Sequence, residues 1–222
     1  MASSKPTIGQ ILARLRHEVL FGRAYLTIAK GLAEADPVVL QASQTFFGLT
    51  LQASLQMSQM LAAKLYDKTK GSVTIRLLLN EALSKAGTFK HGTASQVCAA
   101  VKGASLRVAG LDSILASVEV RRNQAIAHLD PRSVADPAGL AVRAKLTFAD
   151  LEKVFSETGR ILNEISVLWD DTSAVMELIG SDDFKSALEL IADAKHAQVD
   201  RWESEFKEPC PFRRPRSRPR TW

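Results

Sequence analysis

A long stretch without charged residues constrains the fold of this chain more than any other feature. Residues 37–63 contain no Asp, Glu, Lys or Arg, over about the length of a membrane-spanning helix. The stretch nevertheless holds five Gln, three Ser and two Thr, which are too polar to face lipid on all sides. Gln52, Gln56 and Gln59 share one helical face. The large apolar residues also follow helical spacing, at Leu40, Phe47, Leu51, Leu55, Leu61 and Leu65. We therefore predict a long helix buried in a bundle or in a subunit interface, without membrane insertion.

The rest of the chain also has the pattern of helices separated by turns. Only 6% of its residues are aromatic, and Ala, Leu and Gln are plentiful, which favours helices over strands. Ser72, the segment Thr147 to Asp150, and Ser181 are candidate helix caps. Residues 131–146 hold two prolines and a glycine and are expected to form a loop. Helices are predicted over about residues 7–35, 37–67, 73–85, 94–110 and 111–128, with further helices after residues 147 and 181. We predict an all-α antiparallel bundle of about six helices over residues 1–208.

The net charge of +5 is concentrated at the C-terminus. Residues 209–222 contain four Pro and five Arg and no acid, and subtracting those five from +5 leaves zero for residues 1–212. Such a composition cannot bury enough apolar surface to fold, so we predict a disordered tail. The tail either contacts RNA or another polyanion electrostatically, or it is a solvated terminus without a specific function.

Cysteine and histidine usage indicates the compartment and excludes one class of site. The two cysteines, Cys98 and Cys210, do not form a disulfide framework, which fits a reducing, cytoplasmic environment. The first ten residues lack the apolar stretch of a signal peptide. The four histidines do not pair with cysteine at metal-ligand spacing, so we expect neither a metal site nor a cofactor.

Residues 121–130, "RRNQAIAHLD", place polar groups on a helix that is patterned for a core. On a helical wheel that starts at Leu111, an apolar stripe extends about 60° to either side of Leu111, and Arg122 lies near its centre. The other members of the stripe are Leu115, Val118, Ala125, Ile126 and Leu129. Burying an unpaired guanidinium is costly. Arg122 therefore either pairs with a buried acid, or the stripe opens there onto a cleft or a partner.

His128 lies in the last turn before Asp130, where the negative end of the helix dipole favours a protonated imidazole. It is either functional or a histidine tolerated at a helix end. On a regular helix it lies about 120° from Arg122 but within about 20° of Arg121. Three alternatives follow: the helix loosens before His128, the productive pairing joins two chains, or Arg121 is the partner.

The segment "RNQAIAH" resembles the R-x4–6-H motif of the HEPN superfamily (higher eukaryotes and prokaryotes nucleotide-binding). Arg122, Asn123 and His128 occupy the motif positions. The "LD" that follows and the earlier segment "AAKLYDKTKGSVTIRLLL" resemble the abortive-infection, AbiU-like branch. The resemblance covers about residues 7–178.

The resemblance implies a helical bundle that dimerises and brings two motifs to one cleft, and a metal-independent endoribonuclease of toxin–antitoxin or phage-defence systems. RNA supplies its own nucleophile, the 2′-hydroxyl, so the protein needs only proton transfer and charge stabilisation. His128 would move protons and Arg122 would stabilise the transition state. Asn123 would orient the phosphate or the histidine, while Arg121 and Asp130 would support the site.

One position departs from some members of the superfamily. HEPN toxins that are silenced by a partner nucleotidyltransferase carry a tyrosine two residues after the histidine, where this chain has Asp130. That mode of silencing is in doubt, and an antitoxin or regulatory protein of another kind is the expected partner besides RNA. Three hypotheses remain: an active ribonuclease, a non-catalytic module that binds nucleic acid or a partner protein, and a scaffold in which Arg122 and His128 only hold the bundle together.

Overall fold

The computed structural model describes residues 5–69, 71–123, 139, 142–177, 180 and 183–206. These residues form helices joined by turns and contain no strand, which confirms the all-α fold class. The α-helices within the described ranges are α1 (Ile8–Glu34), α2 (Pro37–Ala42), α3 (Gln44–Leu65), α4 (Ile75–Ser84), α5 (Ala94–Ala109), α6 (Asp112–Arg121), α7 (Phe148–Asp170) and α8 (Asp183–Phe206). A single 3₁₀ turn, Ala86–Thr88, lies between α4 and α5.

The helix predicted over residues 37–67 is in fact two helices, α2 and α3, which gives eight α-helices in the described ranges. The backbone of Ser43 is extended, with φ −157°, and its carbonyl accepts the amide of Phe47 at 3.0 Å. Ser43 therefore ends α2 and precedes the first turn of α3, a position in which serine is favoured. On the face of α3 that carries Gln52, Gln56 and Gln59, Gln59 is buried. Ser58 beside it is buried as well and donates to the Gly22 carbonyl at 3.1 Å, so this part of α3 packs through small and polar side chains.

Local capping sequences explain most of the helix ends. Thr147 accepts the amide of Asp150 at 3.1 Å and forms the predicted capping box. The prediction of Ser72 as the cap of α4 was wrong, because its hydroxyl lies 3.4 Å from the Asp67 carboxylate and Thr74 caps the helix instead. The loop predicted over residues 131–146 was wrong in part, since Gly139, Val142 and Arg143 are helical. The alanine-rich sequence there favours helix despite the nearby prolines.

The chain divides into two compact units. The first comprises residues 1–26 and 56–178. In it α4 packs against α5, and α5 and α6 both pack against α7. The apolar face predicted for α7 is buried at Leu151, Phe155, Leu162 and Ile165, whereas Trp169 is half-buried against Phe89. A Cβ atom on Gly22 would lie 2.3 Å from the Phe155 ring, so α1 approaches α7 closely only because residue 22 is glycine.

The second unit comprises residues 27–55 and 179–222. Its core joins Leu32, Val39, Phe47 and Leu188, and α2 packs against α8. Within the described ranges, the helices are all too short or too polar to cross a membrane. The single domain over residues 1–208 stays a prediction. Ser181 and the tail over residues 209–222 lie outside the described part of the chain.

Candidate functional site

A cleft of about 860 Å³ lies in the first unit, next to the end of α6. Residues from α4, α5 and α6 line it, together with the turn that follows α3. Its inner surface is largely aliphatic, with Ile75, Leu79, Val101, Leu115 and Val118 among the lining side chains. Leu115 and Val118 belong to the apolar stripe predicted on the motif helix. The stripe therefore borders an open cleft at this level.

Arg122 lines this cleft immediately after α6. The backbone there remains helical, with φ −55° and ψ −49°, but it widens into a π turn at Arg122 and Asn123. A wheel drawn for a regular α-helix therefore does not extend past Arg122. The Arg122 side chain is 27% exposed, and its Nε donates to Asn123 Oδ1 at 2.9 Å. Asn123 thus orients Arg122 directly.

Asp67, the last residue of the "LYD" segment, is the acidic neighbour of Arg122. Asp67 Oδ1 lies 3.8 Å from Arg122 Nη1, which is an ion pair but is longer than a hydrogen bond. The same oxygen accepts the Thr69 amide at 3.0 Å and the Thr69 hydroxyl at 2.9 Å. The Thr69 backbone bond is the largest cause that lowers the pKa of Asp67, and the charge of Arg122 adds to it. Asp67 is therefore an ionised carboxylate held mainly by its own turn.

The Asp67 contact leaves most of the hydrogen-bonding capacity of Arg122 unused. A guanidinium has five N–H donors, and among the described contacts only Nε makes a hydrogen bond, to Asn123. The Asp67 side chain is itself 25% exposed, so the pair is not enclosed. The sequence predicts that Arg122 either pairs with a buried acid or faces a cleft. Each expectation is met in part, because Arg122 has a partly exposed acidic neighbour and also faces a cleft that solvent enters.

Tyr66, the neighbour of Asp67, is buried and stabilises the fold. Its hydroxyl lies 2.7 Å from Thr158 Oγ1, and Thr158 in turn donates to the Val154 carbonyl at 2.6 Å. Burial raises the pKa of Tyr66 to about 12, so the phenol stays neutral. The tyrosine therefore anchors the end of α3 against α7 and holds Asp67 at the cleft. The sequence showed this segment only as a family resemblance and did not reveal Asp67 as the acid beside Arg122.

Among the other predicted site residues, the structure describes Arg121, which has a contact of its own. Arg121 donates from Nε to the Ala144 carbonyl at 2.7 Å, and burial lowers its pKa. It joins the end of α6 to the segment before α7. His128 and Asp130 lie outside the described residues. The structure thus brings together Arg122 and Asn123 and gives Arg121 a separate contact.

Other charged residues of the cleft were not singled out from the sequence. Lys68 and Glu119 form an ion pair at 2.9 Å, and Arg76 and Asp112 also line the cleft. Helical spacing would have grouped Asp112 and Glu119 on one face of α6. Lys68 and Arg76 lie on other segments and reach the cleft through tertiary packing, which the sequence does not show. Among the residues that the structure describes, no group of His, Cys, Asp and Glu is arranged to hold a metal ion.

Comparison with known proteins identifies the family. Residues 5–196 match the family model for the HEPN family AbiU2. No curated protein and no solved structure matches the sequence. The match covers most of the chain and includes both the "LYD" segment and the Arg122 motif. It confirms the resemblance to the abortive-infection branch, and the chain belongs to the HEPN family AbiU2.

Proposed function

We propose that this protein is a metal-independent endoribonuclease that cleaves RNA by attack of the 2′-hydroxyl on the neighbouring phosphate. The observation that carries the proposal is the environment of Arg122. Its side chain borders an open cleft and has hydrogen-bond donors that are not used in the contact with Asp67. A phosphate that gains charge in the transition state is the ligand that a planar, bidentate guanidinium binds best. The family match supports the same chemistry class.

The proposed roles divide the reaction between three side chains. Arg122 neutralises the charge that builds on the phosphate oxygens. His128 moves the proton of the 2′-hydroxyl or of the leaving oxygen, because an imidazole is the side chain whose unperturbed pKa lies near neutral pH. Asn123 is a positioning residue, since its Oδ1 accepts from Arg122 Nε and fixes the plane of the guanidinium. Arg121 and Asp130 support the site.

The biological role that we propose is phage defence or toxicity in the cytoplasm, under the control of an antitoxin or another regulatory protein. The family name points to abortive infection, and the proposed RNA cleavage would supply the toxic activity of such a system. Asp130 stands where some HEPN toxins carry a modifiable tyrosine, so control by that modification is not expected here.

We also propose a homodimer that joins two copies of the motif in one site. The part of α3 that lies in the uncharged stretch leaves Phe46 61% and Leu49 62% exposed, and solvent-facing apolar side chains of this size favour an interface. Leu49→Glu should give a monomer with little cleavage activity. Leu106→Glu, at a residue 68% exposed on α5, is the matched control and should stay dimeric and active. A parent protein that sediments as a monomer at micromolar concentration would contradict the shared site.

One observation favours a second function, a non-catalytic module that binds nucleic acid or a partner protein. The Asp67 carboxylate near Arg122 competes with any phosphate that approaches the guanidinium. Incubation of purified protein with mixed RNA and EDTA separates the two functions. The ribonuclease cuts under these conditions and His128→Ala does not. A parent protein that binds RNA and leaves it intact would support the non-catalytic module, and unimpaired cutting by His128→Ala would refute the proposed roles.

A further inference from the structure

The charged residues of the cleft are not spread evenly along it. Asp112 begins α6 and Arg122 follows its end, and ten residues of helix place them about 15 Å apart. Lys68 pairs with Glu119 near the Arg122 end. Arg76, in the first turn of α4, follows Ser72 by only four residues, and the Ser72 hydroxyl contacts the Asp67 carboxylate. Three cations thus lie toward one end of the cleft, and Asp112 lies at the other.

The two ends also differ in how far their charges are neutralised. Asp67 and Glu119 offset Arg122 and Lys68, which leaves Arg76 as the net positive charge of that end within the described lining. At the other end, the described contacts give the Asp112 carboxylate no ion-pair partner. A ligand with an anionic group at one end and hydrogen-bond donors at the other matches this arrangement.

The space between the two ends suits a single nucleoside. Small-ligand sites span roughly 300–1,000 Å³, and the cleft, at about 860 Å³, lies within that range. Leu79, Leu83 and Leu115 offer aliphatic surface for the faces of a base. Asn80 adds a side-chain amide that can both accept and donate hydrogen bonds. RNA is read in this way, through unstacked bases whose edges meet polar side chains.

We propose that the cleft binds one nucleoside of single-stranded RNA, with a phosphate between Arg76 and Arg122 and the base edge toward Asp112. A carboxylate accepts hydrogen bonds from the exocyclic amino groups of adenine, cytosine and guanine. Uracil has a carbonyl oxygen where adenine and cytosine have an amino group, so it offers the carboxylate only its N3–H. Asp112 is therefore a specificity-determining residue that favours amino-bearing bases over uracil. The inference rests on the proposed function only in taking RNA as the substrate.

The test measures binding without cleavage. Fluorescein-labelled 2′-fluoro octamers of A, C or U lack the nucleophilic hydroxyl, and their affinities are read by fluorescence anisotropy in EDTA. We expect the A and C octamers to bind about three- to tenfold more tightly than the U octamer, the range of one or two net hydrogen bonds. Asp112→Asn should reduce that ratio toward one, because an amide accepts from amino groups and also donates to carbonyls. Asp183→Asn removes an acid from the first turn of α8 and is the matched control, with an unchanged ratio.

Two further variants test the placement of the nucleoside. Ala116→Phe introduces a ring at an exposed position that lines the cleft, and it should weaken binding of all three octamers at least tenfold. Ala99→Phe makes the same change at an exposed position of α5 outside the described cleft lining and should have no effect. Arg76→Gln should weaken the binding of the three octamers equally. It should also reduce the salt dependence of their affinity by the equivalent of about one phosphate contact. Lys102→Gln, an exposed charge on α5, is its control.

The outcomes separate this inference from the proposed function. An unchanged base ratio in Asp112→Asn, or unchanged RNA affinity in Ala116→Phe, overturns the nucleoside site even if Arg122-dependent cleavage is intact. The latter result would mark the cleft as a surface for a protein partner. Base-selective binding that depends on Asp112, in a protein that cuts no RNA, supports the nucleoside site and rejects the ribonuclease.

Discussion

Two arginines of the first unit each lie near a carboxylate and hydroxyl groups, yet their surroundings differ. Arg16 Nη2 donates to Ser166 Oγ at 2.5 Å and lies 3.4 Å from Thr172 Oγ1. Those two hydroxyls are 2.7 Å apart, and both contact the Asp170 carboxylate. Arg122 instead lies 3.8 Å from Asp67 and borders a cleft. The first arginine belongs to a network of mutually bonded side chains built on the buried Ser166, whereas the second borders a cleft.

The difference teaches how to separate a structural arginine from a functional one. The network around Arg16 ties α1 to the end of α7, and Ser166 within it is fully buried. Removing the arginine takes a charged donor from the buried Ser166 hydroxyl and a nearby positive charge from the Asp170 carboxylate, which lowers stability. Arg122 shares its carboxylate with the Asp67 turn, which keeps its own hydrogen bonds when the arginine is absent. We therefore expect the two arginines to respond to mutation in opposite ways.

The largest expected effect is on catalysis at Arg122. Arg122→Ala should lower the rate of RNA cleavage at least about a hundredfold while the helical content by circular dichroism stays the same. Arg122→Lys should lower the cleavage rate by a similar factor, because an ammonium group does not reproduce the planar, bidentate geometry of a guanidinium. Arg16→Ala is the matched control and should keep the cleavage rate per folded molecule. If Arg122→Ala unfolds the protein, the residue only holds the bundle together.

The reverse effect is expected for stability at Arg16. Arg16→Ala should lower the free energy of unfolding by about 1–3 kcal/mol, because the buried Ser166 hydroxyl loses its charged donor and the Asp170 carboxylate loses a nearby positive charge. Arg122→Ala should cost less than about 1 kcal/mol, as is usual for partly exposed ion pairs. Urea denaturation of both variants gives the comparison. Equal losses of stability would remove the distinction between the two sites.

The effects of mutating Arg121 should lie between those of mutating Arg16 and Arg122. Arg121→Ala removes the hydrogen bond to the Ala144 carbonyl and should cost about 1 kcal/mol in urea denaturation. Its effect on RNA cleavage should be much smaller than that of Arg122→Ala, because it contacts the segment before α7. A loss of cleavage as large as that of Arg122→Ala would instead assign Arg121 to the reaction.

A smaller effect is expected in the pH dependence of stability. Hydrogen bonds lower the pKa of Asp170, chiefly from the Thr172 hydroxyl, and they lower the pKa of Asp67, chiefly from the Thr69 backbone. A carboxyl with a lowered folded-state pKa stabilises the fold fully above its unfolded pKa of about 3.9. That stabilisation is lost as the pH falls through the folded value. Asp170→Asn and Asp67→Asn should therefore each reduce the drop in melting temperature between pH 7 and pH 3. A drop as large as that of the parent would show that the carboxylate does not stabilise the fold.

The smallest effect is expected at the C-terminus. Deleting residues 209–222 removes four prolines and five arginines but no periodic apolar residues, so the melting temperature should change by less than about 2 °C. Differential scanning calorimetry of the two proteins checks this. A large loss of stability on deletion would mean that the segment docks on the helical body.

Local sequence signals predicted much of the fold. The Thr147 capping box and the end of α1 before Pro37 depend on residues within a few positions, and both were found where expected. The break at Ser43 was missed because the residues on both sides keep the apolar pattern of one helix. The "LYD" segment predicted the family, but the pairing of Asp67 with Arg122 spans a long stretch of chain and depends on tertiary packing. Helical spacing placed Arg122 on the apolar stripe, whereas its cleft forms only when α4 and α5 pack nearby.

The measurement that tests the central claim most directly is the chemistry of the RNA ends after cleavage in EDTA. Internal attack by the 2′-hydroxyl leaves a 2′,3′-cyclic phosphate and a 5′-hydroxyl, and it cannot occur on DNA. We predict these ends from the parent protein, no product from Arg122→Ala or His128→Ala, and intact DNA. Products with 3′-hydroxyl ends, or cleavage that requires an added metal ion, would contradict the account.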